Sequence, residues 1–322
     1  MLDIIKAFAI FLVLWGHSLQ HFTNIDYSTI TYRIIYSFHM PLFMAIVGYF
    51  ALPLLRESFI SVFLKKFRQL ILPAISFTLI FFLLGCYEYN GFIPFIKKLI
   101  NNFWFLRCAF VCFIYFYIFA FNQKFRNVGI LVSLLLSPFI TYQHFEIMYP
   151  SFVLGYFLRN YRCKIESSKK SICLISGVIF ITLLIFFDEK FWRIPSFTLN
   201  LNSPDFIQYW YLKGYLLIIG ILGVIFFLSL FLNIAPLFKS FYNSKYVNKV
   251  GQYTLGIYLL QALLIEIILR KYINIGNSDT FLYNFVICPA ISLIVLIICV
   301  SIIDMINRFK VLSFVLLGKK LA

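Results

Sequence analysis

The chain is 322 residues long, 62% hydrophobic and 20% aromatic, with 12% charged residues and a mean hydropathy of +0.92. Soluble domains carry about 25% charged residues, so a water-soluble globular fold is excluded and a polytopic membrane protein is expected. The net charge of +16 suggests nucleic-acid binding until its distribution along the chain is considered.

In a membrane protein the lipid-facing and buried sides are both apolar, so length and charge placement locate the spans better than periodicity does. Ten spans are expected, near residues 4–22, 34–54, 70–87, 104–122, 128–144, 148–159, 172–188, 209–232, 253–269 and 283–305. The fifth and sixth are the weakest, and the sixth is short for a hydrocarbon core of about 30 Å. With the N-terminus in the cytoplasm, 19 of the 28 Lys and Arg fall on inside segments, 8 on outside segments and Lys213 alone within a span. This bias follows the positive-inside rule with both termini cytoplasmic. The positive charge is thereby explained by topology, and no nucleic-acid partner is expected. The first segment lacks a small-x-small cleavage site and reads as a retained span rather than a signal peptide. The seven cysteines are scattered, mostly in or beside spans, and read as small apolar core residues. The longest extramembrane stretch, near 188–208, falls outside and is rich in turn formers.

Ionisable groups within a span are costly and are functional candidates by default. In the first span, "KAFAIFLVLWGHSLQHF", Lys6 precedes His17 by eleven residues. At about 100° per residue the two share one face to within about 20°, about 16 Å apart along the axis. Asp3 stands three residues before Lys6, within pairing reach. Spacing alone leaves two readings of His17 equally open, a reactive imidazole or a neutral one packed against another helix. His21 adds a His-x-x-x-His spacing able to ligate a metal, but with no third ligand evident in the sequence no metal is expected. In the second span His39 sits just before Pro41, at a depth similar to His17, so the two could face one cavity; the plainer reading is an interfacial residue reaching headgroup water.

Ahead of the third span, "FLKKFRQLILP" places Lys65 and Arg68 three apart on one helical face, as headgroup anchors or as a site for a phosphorylated cytosolic ligand. Trp104 and Arg107 stand at the outer end of span four, where an aromatic belt explains the Trp. His144, beside Glu146, is expected to be solvated. Gln261 lies inside span nine and must face protein or water rather than lipid.

In chain order these segments resemble the acyltransferase-3 family of membrane-embedded O-acyltransferases. Its opening pattern, written like "LDxLRGIAILLVVLGHS", is similar to "LDIIKAFAIFLVLWGHS"; its second span, "FHMPLFFFLSGYF", to "FHMPLFMAIVGYF". "KKFRQLILP", "FWFLRCAFVCF", "LGYFLR" and "GQYTLGIYLLQ" match later family segments. Lys6 and Lys65 stand where the family has Arg, and Gln261 where it often has His.

The resemblance implies an all-α, single-domain acyltransferase over residues 1–322, in the bacterial inner membrane, without an appended soluble domain. It also implies an acetyl-CoA donor and an envelope glycan or lipid-linked sugar as acceptor. Lys6, Lys65 and Arg68 would hold the nucleotide end, with the pantetheine running along the face of span one. His17 would serve as general base or as a covalent acyl carrier, His39 would orient the acceptor or pass the proton outward, and Trp104, Arg107 and Gln261 would contact substrate. Succinyl as the acyl group, and a peptide, a lipid headgroup or a small sugar as acceptor, stay open. Two rivals from other classes are a transporter or flippase of an envelope precursor, expected to show broken helices in paired half-repeats, and a membrane partner that positions a glycosyltransferase.

Overall fold

The computed structural model describes residues 2–22, 29–86, 91–140, 142–161, 166–187, 204–237, 244–273 and 281–320. Most of the 188–208 segment, including Lys190 and Arg193, lies outside them, as do Arg162, Lys164 and Lys239. The described residues form helices and no strand. In chain order these are α1 (Leu2–Phe22), α2 (Ile30–Tyr49), α3 (Phe59–Leu83), α4 (Phe92–Asn101), α5 (Trp104–Ala120), α6 (Arg126–Leu136) and α7 (Phe145–Asn160). They continue with α8 (Lys169–Ile185), α9 (Pro204–Ile234), α10 (Lys245–Gln252), α11 (Thr254–Lys271), α12 (Tyr283–Asn307) and α13 (Lys310–Leu317).

Five of these helices are long and apolar enough to cross a membrane: α1, α2, α3, α9 and α12. The count rises to seven if two bent pairs, α4–α5 at 66° and α10–α11 at 67°, each make one span. The other three expected spans correspond to α6, α7 and α8, at 11, 16 and 17 residues, against the roughly 20 that a square crossing needs. The outward faces of α6, α8 and α12 expose Leu131, Leu135, Leu174, Ile181, Ile294 and Ile297. Such continuous apolar surface suits lipid and is unsuited to water.

Helix α1 is the axis of the molecule, packed by α2, α10, α11 and α12. The most extensive crossing joins α2 to α7. A Cβ added at Gly48 of α2 would overlap the carbonyl of Phe152, and one at Gly155 of α7 would overlap that of Ala45. Two glycines facing opposite ways therefore let the backbones touch, the arrangement small residues permit where lipid supplies no hydrophobic drive. Gly251 does the same for α10 against Asp3 of α1. These crossings fix α2 and α11 beside the polar stripe of α1.

Candidate active site

A cavity of about 440 Å³ opens at the end of the bundle remote from Lys6. His17 and Gln20 of α1 reach it, with Tyr36, Ser37 and His39 of α2 and Tyr258, Gln261 and Glu266 of α11. Asn101, Asn102, Phe103, Trp104 and His144 close the remaining side. Four of the residues singled out from sequence thus meet in one chamber: His17, His39, Trp104 and Gln261.

The His17 side chain is 25% exposed, and its Nδ1 stands 3.4 Å from Glu266 Oε1. Gln261, almost fully buried, donates from Nε2 to the same carboxylate oxygen at 3.1 Å. His39 is buried and its Nδ1 lies 2.7 Å from the Ile35 carbonyl. A carbonyl only accepts, so Nδ1 carries the proton and Nε2 of the neutral ring is left as an acceptor. Tyr36 donates its hydroxyl to Gln20 Oε1 at 3.0 Å, and the Trp104 ring meets His144 edge-on at 5.3 Å.

Sequence reading missed Glu266. Gln261 and Glu266 are five residues apart, which on an α-helix turns them about 140° from each other. Residues Ala262–Ile268 instead form a π-helical turn, whose i→i+5 repeat stacks the two side chains on one face. His144 also differs from expectation. It lines the cavity, and its neighbour Glu146 is buried and ion-paired with Lys213 of α9 rather than solvated. Among the described residues, the three non-glycine residues with positive φ are Phe103, Gln143 and His144. Two of them line the chamber and the third adjoins it, in keeping with the tendency of backbone strain to gather at functional sites.

Arg107 does not line the chamber. Its guanidinium donates to the carbonyls of Asn102, at 2.8 Å from Nε, and of Leu99. It clasps the end of α4 and holds Asn101 and Asn102 at the rim.

At the opposite end, Lys6 pairs with Asp3 at 2.9 Å, as the spacing suggests, and lies 5.2 Å from the centre of the Phe50 ring. Lys65 is bound to Glu57 at 2.7 Å, and its ammonium holds that carboxyl below the usual range. Lys66 sits 3.8 Å over the Phe113 ring. Arg68 falls in a second π turn, Phe67–Ile71, which breaks the simple three-residue register with Lys65. Its Nε is buried and makes no hydrogen bond among the described residues. Of the three expected anion-binding cations, Lys6 and Lys65 already hold carboxylates, and Arg68 has an unused donor.

Between the two ends lies a smaller apolar cavity of about 160 Å³. Ile10 and Val13, on the α1 face that joins Lys6 to His17, line it with Leu70, Phe105 and Leu255. Met40 and Tyr258 belong to the walls of both cavities. Two neighbouring cavities thus lie in line along α1, the smaller lined one helical turn from Lys6 and two residues from Arg68, the larger at His17, with Met40 and Tyr258 between them.

A family model described as an acyltransferase domain matches residues 1–304. The chain is also 30% identical over 171 residues to nodulation protein NolL of Sinorhizobium fredii, covering 48% of this chain and 47% of that one. It is 34% identical over 124 residues to nodulation protein NolL of Mesorhizobium japonicum, covering 35% and 33%. The chain thus spans half or less of the length of these curated relatives. No solved structure matches it.

Proposed function

The chain belongs to the acyltransferase-3 family, and from that membership we propose that it is an inner-membrane O-acyltransferase moving an acetyl group from cytosolic acetyl-CoA to a hydroxyl of an envelope glycan or lipid-linked sugar. The observation that supports this reading is the apolar cavity that adjoins the His17 chamber across Met40 and Tyr258, the course proposed here for a passage along α1. A pantetheine arm is narrow and largely uncharged, and the lining of that cavity is apolar. The nucleotide phosphates stay at the basic end, where Arg68 has a free donor and guanidinium geometry suits phosphate.

In the chamber the acceptor hydroxyl gives its proton to His17 as its oxygen attacks the thioester carbonyl. The C–S bond then breaks, and the departing thiolate takes the proton back from the imidazolium, leaving an ester and free coenzyme A. Glu266 faces Nδ1 of His17. There it favours the tautomer with Nε2 free to accept, and it stabilises the imidazolium that forms, the role a carboxylate plays behind any histidine base. Gln261 holds Glu266 and acts through it. His39, with Nε2 free to accept, orients the incoming hydroxyl. Trp104 offers an aromatic face to sugar C–H groups, and Asn101 and Asn102 offer amides to sugar hydroxyls.

A second reading has one observation in its favour. The two bent helix pairs, at 66° and 67°, are the kind of broken helix that transporters build sites from. Transport predicts solute flux and no covalent product, so one experiment separates the readings. Envelope glycan from a deletion strain, complemented with wild type or His17→Ala, is compared by mass spectrometry. Wild type is expected to add the mass of acetyl. His17→Ala is expected to accumulate in the membrane at normal level but to add none, since general-base help is worth about 10²–10⁴-fold. An active His17→Ala enzyme would refute the assignment.

A further inference from the structure

The scheme above uses His17 and Glu266 and leaves His21 without a task. His21 follows His17 by one helical turn, and the two rings lie parallel at 5° with centroids 5.9 Å apart. Two histidines at this spacing can present a nitrogen each to one ion. What the sequence lacked was a third ligand, and the π turn of α11 supplies it. One donor atom from each of His17, His21 and Glu266 lies within 4.8 Å of the others. On a tetrahedral ion with bonds of about 2.0–2.1 Å the donors stand about 3.4 Å apart, so a small side-chain adjustment closes the set. Two further observations suit a bound cation. The Nδ1 of His17 is buried without a hydrogen bond, and Gln261 donates to Glu266, the outer hydrogen bond that fixes a carboxylate ligand.

We propose that His17, His21 and Glu266 form a three-donor site for one divalent transition-metal ion, zinc foremost, in the wall of the outer chamber, and that the bound ion silences His17 as a base. The donor set of two imidazoles and a carboxylate suits zinc and leaves a fourth position open to the chamber. The silencing follows from proton accounting. A neutral imidazole has one lone pair to offer and one N–H; if Nδ1 binds the metal, Nε2 carries the proton and cannot accept another. The silencing half of this inference rests on the reading of His17 as the base; the metal site itself does not.

The test uses the purified chain in lipid nanodiscs, stripped with a chelator and titrated first with Co²⁺ and then with Zn²⁺. Wild type is expected to show the visible absorption of tetrahedral Co²⁺ and to lose it to zinc. His21→Ala is expected to bind at least about 100-fold more weakly, because even outer hydrogen-bond partners of a ligand are worth about 10–100-fold. In a parallel transfer assay, zinc should inhibit wild type and a chelator should restore it, while His21→Ala transfers acetyl and resists the same zinc concentrations. Absence of a zinc-displaceable cobalt spectrum in wild type, or an unchanged one in His21→Ala, overturns the site. Zinc that binds yet leaves the rate unchanged or raises it overturns the silencing. None of these outcomes bears on acyl transfer itself, which falls instead if wild type adds no acetyl mass to the envelope glycan; the assignment of His17 as base falls if His17→Ala remains active.

Discussion

At the scale of single residues, the weight of the proposed chemistry rests on how one imidazole is held. Glu266 stands 3.4 Å from His17 Nδ1 and is itself held by Gln261 at 3.1 Å. If this carboxylate sets the tautomer, Glu266→Gln keeps the shape and loses the charge that stabilises imidazolium. The expected result is a fall in kcat of more than 10-fold, short of the roughly 10²–10⁴-fold that the base itself supplies, with little change in KM for either substrate. A fall confined to KM would mean that Glu266 binds substrate and does not position His17. The two histidines and Gln261 were legible in the sequence because polar groups in apolar spans stand out. Glu266 was not, because its partnership depends on a local change of helical repeat that residue spacing on an α-helix assigns to the wrong face. Arg107 was legible as unusual but not as a clasp on the end of α4, since its partners are carbonyls and every residue has one of those.

At the scale of elements, α7 and α9 are tied by an ion pair between Glu146 and Lys213, whose side chains are 4% and 10% exposed. Lys213 was visible in the sequence as a lone cation inside a span; its partner Glu146, in the first turn of α7, adjoins His144, which was expected to be solvated. Burying two charges gains little over burying two apolar groups, but orphaning one is costly, at about 3–5 kcal/mol. Lys213→Met should therefore destabilise the protein by roughly that amount. The double variant Lys213→Met with Glu146→Leu should recover most of the loss. Thermal unfolding in detergent, run on both and on wild type, measures the two effects. A double variant less stable than the single one would show that the pair is not what holds the helices. The same pairing lies beside the chamber, since His144, Ile147 and Leu216 all line it, so loosening it is also expected to lower acyl transfer in step with stability.

At the scale of the whole molecule, the sequence marked ten apolar stretches and the direction of the charge bias, and a helix occurs in each of those stretches among the described residues. It overstated their uniformity. The expected spans 104–122 and 253–269 begin at bends near Phe103 and Tyr253, and what the sequence did not announce is that α4 and α10 precede them as the first arms of bent pairs. The bends matter to function, because they bring Phe103 and Trp104 to the chamber from one side and α11 to it from another. The chamber lies at one end of α1 and Lys6 at the other, so on the proposed reading donor and acceptor meet from opposite faces of the bilayer. This sidedness can be measured. In sealed vesicles carrying the protein in one orientation, fixed by a protease-accessible tag on the terminus, labelled acetyl-CoA is supplied to one face at a time with acceptor on both. Acetyl-CoA is polyanionic and does not cross the bilayer. Transfer is expected only when the donor bathes the face that bears Lys6, Lys65 and Arg68, and the product is expected to appear on the opposite face. Equal product from either side would mean that the passage along α1 does not carry the donor and that thioester and hydroxyl reach His17 from one compartment.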